Sequence, residues 1–284
     1  MHDAPSSSLI TDSDHPLIQR FRSLQTASGR AKDGCYVIEG VRHVFRATQA
    51  RVPIEQLFVA PRALKSPAGQ KLARHLRRAG TPTAAVAPDL YRRLSLAGDP
   101  QGIAAILRQT WTPLSEIRSG NSHGWLAVEG VESPGNLGTM IRTCEAVGAA
   151  GIILIGHTAD PHDPAAVRAT MGSLFSQKLV RTTAHEFTAW CKSQRLMLVG
   201  ASPRATRDYR ALRYKKPLVV LVGSEKRGVS DVLTQACDAL VRIPIRRRGV
   251  DSLNVAVAAG ILLYEAFDQR PSGANASARA IPRA

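Results

Sequence analysis

Leu218-Val219-Val220-Leu221-Val222 runs straight into Gly223-Ser224-Glu225-Lys226-Arg227-Gly228-Val229. Five apolar residues without a charge predict a strand buried on both faces, as strands inside parallel sheets are. A loop bracketed by glycines and then a helix follow it. Outward from this stretch the same pattern recurs. Trp125-Leu126-Ala127-Val128, Gly151-Ile152-Ile153-Leu154-Ile155 and Leu196-Met197-Leu198-Val199 are further apolar runs, and segments near 138–148, 164–174, 186–194, 228–237 and 254–268 read as the helices between them. Alternation of this kind predicts an α/β fold on a parallel sheet. Ligands of such sheets bind beyond the carboxyl ends of the strands, so the loops there are where chemistry is expected.

The preceding block alternates too, in shorter elements. Tyr36–Gly40, Leu57–Ala60 and Thr83–Val86 read as strands, and Val41–Ala50, Gly69–Ala79 and Asp89–Leu94 as helices, which predicts a small α/β sandwich. Pro, Ser, Gly and Asn cluster after the apolar run 102–107 and mark a break. The expected organisation is a loose tail over 1–14, a first domain over 15–112, a linker over 113–122, a second domain over 123–270 and a loose tail over 271–284.

Composition narrows the partner. Thirty-eight Lys and Arg against 22 Asp and Glu leave a net charge of +16. A polyanion is the expected partner, with nucleic acid foremost, although an arginine-rich compositional bias would also raise the charge. No apolar run is long enough to span a membrane, and Met1-His2-Asp3-Ala4-Pro5-Ser6 lacks the basic and apolar character of an export signal. A cytoplasmic protein without a membrane role is the expectation. Cys35, Cys144, Cys191 and Cys237 form no C-x-x-C pair, so reduced, mostly buried thiols are expected. His157, His162 and His185 read as surface or loop histidines, and no metal site is expected.

Three segments carry candidate chemistry. In Glu132–Thr143 a strand ends, Pro134 and Gly135 turn the chain, and Asn136 stands where a helix N-cap belongs; Arg142, six residues on, can reach an anion near the strand ends. In the stretch quoted first, Gly223 permits a close backbone approach, Gly228 an unusual turn, and Glu225 can orient a basic group or hydroxyl, or simply pair with Lys226. The loop is not G-x-G-x-x-G, which argues against a dinucleotide site. In the third segment a strand at Ile243-Pro244-Ile245 leads to Arg246-Arg247-Arg248, read as a solvated loop or as phosphate contacts, and then Ser252-Leu253-Asn254 open a helix of small residues.

Taken together, N-x-G-x-x-x-R at Asn136, Gly138 and Arg142, G-x-E-x-x-G from Gly223 to Gly228, and Ile243-Pro244 followed by S-L-N-V from Ser252 to Val255 and Tyr264-Glu265 resemble the three ordered motifs of SpoU/TrmH methyltransferases of the SPOUT superfamily. The resemblance covers most of 123–270. Ile38–Arg42, Ile54–Val59 and Gln101–Ala104 resemble, more weakly, a substrate-binding domain related to ribosomal protein L30e. Arg42 is its candidate RNA contact. The resemblance implies a trefoil-knotted parallel sheet, a homodimer with active sites at the subunit interface, and S-adenosyl-L-methionine as cofactor. It implies 2′-O-ribose methylation of RNA, ribosomal rather than transfer RNA by analogy with two-domain relatives; a transfer RNA enzyme, a base-nitrogen methylase and a non-catalytic RNA-binding protein are the rival readings. The implied cofactor residues are Gly200, Ala201, Gly223, Glu225, Gly228, Ile243, Ile245, Leu253 and Asn254; the implied catalytic set is Asn136, Arg142, Glu225, Ser252 and Asn254. The arginine run between Ile245 and Ser252 departs from the family, whose loop there is small and polar.

Overall fold

The computed structural model describes residues 9–117, 124–215, 217–245, 249 and 252–269. The chain forms two compact units. One takes in the chain up to Trp111 with Glu132–Arg142 and Ala159–Leu179; the other takes in Thr112–Val131, Thr143–Thr158 and the chain from Val180 onward. Two stretches that sequence order puts in the second block therefore pack with the first.

In the first unit, α1 (Pro16–Ser23) and α2 (Ala27–Asp33) precede β1 (Cys35–Glu39), α3 (Val41–Gln49), β2 (Ile54–Val59), α4 (Pro67–Arg78), β3 (Thr83–Ala85), α5 (Pro88–Leu94) and β4 (Ile103–Arg108). The sheet order is β1-β4-β2-β3, with β4 antiparallel to β1 and β2, and β3 parallel to β2. Proline opens α1, α4 and α5, where its missing N–H costs nothing, and the Thr26 and Ser66 hydroxyls cap α2 and α4. Phe21, Phe58, Leu90, Tyr91 and Ile106 centre the core. Within the stretch expected to be a loose tail, Ile10 is fixed: it bridges Val86 in parallel fashion, and its N–H donates to the Ala85 carbonyl at 2.8 Å. Its side chain is buried, and that apolar burial holds the strand pairing in place.

Beyond the break come β5 (Trp125–Glu129), α6 (Pro134–Val147), β6 (Gly151–Ile155), α7 (Pro164–Thr170), β7 (Lys178–Thr182), α8 (Ala184–Ser193), β8 (Met197–Ala201), β9 (Arg207–Asp208), β10 (Leu218–Val222), α9 (Asp231–Ala236), β11 (Ala239–Arg242) and α10 (Val255–Asp268). The seven-stranded sheet has the order β7-β6-β5-β10-β8-β11-β9, and the pairs from β6 through to β9 are parallel. All five residues of β6 and of β10 are buried, as two-sided strands require. Leu221 sits level with Ala127 on one neighbour and Gly200 on the other.

Other sequence expectations shift as well. The strand expected at Ile243–Ile245 ends at Arg242 instead, because Pro244 lacks an N–H and constrains its predecessor. The helix expected over 164–174 stops at Thr170, where Met171 (φ 52°) and Gly172 (φ 92°) turn left-handed before a short 3-10 turn at Ser173–Ser176. His162, expected at the surface or in a loop, lies in the loop before α7 but is buried: its ring meets Tyr36 at a tilt (4.5 Å) and Trp111 edge-on (5.3 Å), and this ring packing offsets its burial. Cys35, Cys144 and Cys191 are buried free thiols, and Cys237 is half-buried.

Candidate active site

Because β5, β10, β8 and β11 are adjacent and parallel, their carboxyl ends open on one edge of the sheet. Each end then bends in a way the sequence dictates. After β10 the chain folds back on itself: Ser224 and Gly228 exchange N–H···O bonds of 3.1 and 2.9 Å, and the Arg227 N–H donates to Ser224 Oγ at 3.0 Å. Gly228 has φ +71°, the left-handed conformation that glycine tolerates. A Cβ at Gly223 would overlap the Gly228 backbone, so the close approach expected there is present. Glu225, Lys226 and Arg227 form the exposed tip of this turn.

The β5 end meets that loop. A Cβ on Gly130, itself at φ +66°, would touch Ser224 Cβ at 3.3 Å. Glu129 accepts from the Ser230 N–H at 2.8 Å, and Ser230 caps α9. Glu129 and Ser230 were not among the residues singled out from sequence; a carboxylate as the last residue of an apolar strand, just before glycine, was the available signal. The β8 and β11 ends are tied likewise, by the Ser202 N–H donating to the Val241 carbonyl at 2.9 Å. Gly200 is buried at this end; a Cβ there would press on Cys237 Sγ at 2.8 Å and Leu240 Cδ2 at 2.9 Å. Burial pushes the Cys237 thiol up to about 12, so it acts as apolar wall. Ala201 is half-buried beside it.

Past β11, Ile243 and Leu253 are half-buried, while Ile245 is 39% exposed. Open aliphatic side chains next to main-chain polar groups are the surface on which an adenine ring packs, so this edge fits the cofactor the motifs imply. Asn254 is the N-cap of α10: its Oδ1 accepts from the N–H groups of Ala256 (2.9 Å) and Val257 (3.3 Å). Ser252 is exposed just ahead of it. Arg246, Arg247 and Arg248, expected to contact phosphate, lie outside the described residues.

Asn136 and Arg142 belong to the first unit, both on α6. Asn136 is not the cap. Pro134 takes the first helical position, Ser133 precedes it, and Ser133 Oγ accepts from the Asn136 N–H at 3.3 Å. Proline's fixed φ suits that first position, which moves the helix start three residues earlier and leaves Asn136 in the first turn. Arg142 therefore sits in the third turn rather than the second, and it is exposed. Gly138 between them is buried against α7, where a Cβ would overlap the Ala166 carbonyl oxygen and lie 2.7 Å from Ala169 Cβ. Arg42 is exposed on the first turn of α3 and lines, with Phe45, Lys71 and His75, a groove of about 720 Å³ between α3 and α4.

Residues 125–264 match the SpoU rRNA methylase family, and residues 15–105 match an MRM3-like substrate binding domain. A 23S rRNA (uridine(2479)-2′-O)-methyltransferase of Streptomyces viridochromogenes is 32% identical over 269 residues, covering 91% of this chain and 92% of that protein. The chain belongs to the SpoU methylase family. A second relative, the 23S rRNA (guanosine(2553)-2′-O)-methyltransferase RlmP of Bacillus subtilis, is 26% identical across 90% of this chain and 97% of its own. Among solved structures, the AdoMet-bound rRNA methyltransferase of Sinorhizobium meliloti superposes with a TM-score of 0.83 at 32% identity, covering 91% of this chain and 97% of that one. The fold of that methyltransferase is thus shared over nearly the whole chain, substrate-binding block included.

Proposed function

We propose that this SpoU protein is an S-adenosylmethionine-dependent RNA methyltransferase that modifies a ribose 2′-hydroxyl of large-subunit ribosomal RNA. The observation that carries the reading is the edge of the parallel sheet, where the β5 end meets the β10 loop at Gly130 and Ser224 and the β8 and β11 ends are tied through Ser202 and Val241. The MRM3-like block at 15–105 and the 23S rRNA substrates named for both relatives favour ribosomal over transfer RNA. Those relatives differ in the nucleotide they modify, so the family does not fix the base.

Gly223, Ile243, Ile245 and Leu253 hold the cofactor in this reading, with Gly200, Ala201, Glu225, Gly228 and Asn254 shaping the loops around it. When bound, the cofactor supplies an activated methyl on a sulfonium. Arg142 clamps the ribose phosphate and stabilises the alkoxide that develops as the hydroxyl proton leaves, a phosphate oxygen taking that proton. A guanidinium keeps its own proton under ordinary conditions, which suits a clamp and not a base. Asn136 and Asn254 orient the ribose and Arg142, while Ser252 and Glu225 hold their loops. Arg42 and Arg246–Arg248 contact RNA phosphates. The last segment of the sheet domain is knotted, and the protein works in the cytoplasm as a homodimer. Support for self-association comes from α10, where Val257 and Tyr264, two turns apart, are 51% and 54% exposed. No helix among the described residues is long and apolar enough to cross a membrane.

The test is transfer from labelled cofactor to deproteinised ribosomal RNA, followed by alkaline hydrolysis. Label in alkali-resistant dinucleotides is expected, since a 2′-O-methyl blocks cleavage. Label in mononucleotides would mean base methylation, and no label with RNA binding retained would favour a non-catalytic binder.

A further inference from the structure

Arg30 lies in α2, within the substrate-binding block, and is almost completely buried at 1% exposure. Its guanidinium is spent on four acceptors. Nε donates to Asp160 Oδ2 at 2.7 Å, Nη2 to Asp163 Oδ2 at 3.2 Å, and Nη1 to the carbonyls of Leu24 (3.2 Å) and Gln25 (3.1 Å). Both carboxylates come from the methylase-family stretch, and each also builds the turn ahead of α7. Asp160 Oδ1 accepts from the His162 N–H at 2.9 Å; Asp163 Oδ1 accepts from the Ala165 N–H at 2.8 Å and caps α7.

Two further contacts seat the same helix. His162 packs against Tyr36 at a tilt and against Trp111 edge-on, and a Cβ on Gly172 would meet Arg46 Cγ of α3 at 2.8 Å. On its other side α7 bears directly on α6 through Gly138, the glycine of N-x-G-x-x-x-R. A buried charge with all its partners satisfied holds one geometry, because losing any partner leaves an uncompensated ion. The Gly138 crossing is too close to allow sliding without overlap.

We infer that Arg30 is a positioning residue for methyl transfer: it fixes α7, and α7 fixes the segment of α6 that presents Asn136 and Arg142. The inference rests on the proposed roles of those two residues. It gives the substrate-binding block a second task besides holding RNA, that of setting the reach of the transferase's own arginine. Reaction rates are sensitive to such placement, with shifts near 1 Å costing on the order of a hundredfold.

The informative variant is the pair Asp160→Asn and Asp163→Asn in the full chain. Amide oxygens keep the turn bonds and the cap, so α7 still folds, while both charges facing Arg30 are gone. Hydrogen exchange followed by mass spectrometry should show exchange over 164–170 and 134–142 faster by tenfold or more, whether or not the protein methylates RNA. In methylation assays kcat should fall about 10- to 100-fold, with the RNA KM and cofactor Kd within about twofold of the parent. Arg30→Lys, which keeps a charge but loses the fork, should fall between the two. Unchanged exchange over 134–142 overturns the coupling, even in a preparation without activity. Faster exchange with unchanged kcat overturns the positioning role while leaving the methylase reading intact.

Discussion

The two units hide different kinds of groups. Among the described residues, five of the six buried polar or charged ones, Arg30, His43, His162, Thr170 and Ser173, belong to the first unit, and only Thr182 belongs to the second. The first unit also carries a half-exposed network in which Arg20 donates to Asp33 and Glu55, with Arg108 on Glu55. The core of the second is aliphatic and aromatic: Trp125, Ile153, Val180, Phe187, Leu198 and Leu221. Apolar packing supplies stability without direction, whereas satisfied ionic contacts select one arrangement. The second unit thus behaves as a stiff platform whose polar groups stand on loops at its rim, and the first as a seat in which α6 and α7 are held by specific bonds.

The sharpest break in this contrast comes from Arg142. Arg142→Ala should lower turnover by about 10²- to 10³-fold, as removal of one stabilising donor does, with the melting temperature and cofactor affinity unchanged. Arg142→Lys should remain well below the parent; near-full activity would refute the need for a planar fork. Gly223→Ala attacks the platform's rim instead. Its Cβ has no room beside Gly228, so the turn must shift, and calorimetry should show cofactor Kd raised by at least about tenfold by the loss of a backbone-shaped site. RNA binding, read by filter retention, should persist.

A pH experiment separates the units by their ionic content. Burial pushes the Asp160 carboxyl up, but hydrogen bonds from His162 and Arg30 outweigh it and hold the group well below the usual carboxylate range. The folded state therefore binds fewer protons than the unfolded state. Its stabilisation is complete above the unfolded value of about 4 and is lost as pH falls through the folded value. Urea titrations from pH 6 downward should show the parent losing stability more steeply below about pH 4 than Asp160→Asn. Parallel slopes would remove Asp160 from the account. The smallest effect is expected at the α10 cap: Asn254→Ala should cost about 1 kcal/mol and Asn254→Asp almost nothing. If Asn254→Asp is stable but slow, the amide orients the ribose as well as the helix.

How far these features were legible in sequence follows the same contrast. β6 and β10 could be read to the residue because burial on both faces leaves an uninterrupted apolar run. β7, with exposed Lys178 and Arg181 on either side of buried Leu179 and Val180, and the two-residue β9 were hidden, since edge strands carry charge and little length. Gly223 and Gly228 were readable because only glycine satisfies such turns, and the structure bears both out. Asn136 was misassigned as a cap because Asn is a common cap; Ser133 followed by proline was the stronger signal. The Arg30 seat was invisible, because its partners lie 130 and 133 residues away and nothing local marks an arginine for burial.

The central claim is that the loops leaving β10 and β11 hold the methyl donor, and ultraviolet crosslinking of radiolabelled S-adenosylmethionine to the intact protein tests it most directly. Peptide mapping should find the label within 218–228 and 239–254, and Gly223→Ala should weaken it in step with the raised cofactor Kd. Label confined to α8, or to peptides of the first 111 residues, would contradict the claim.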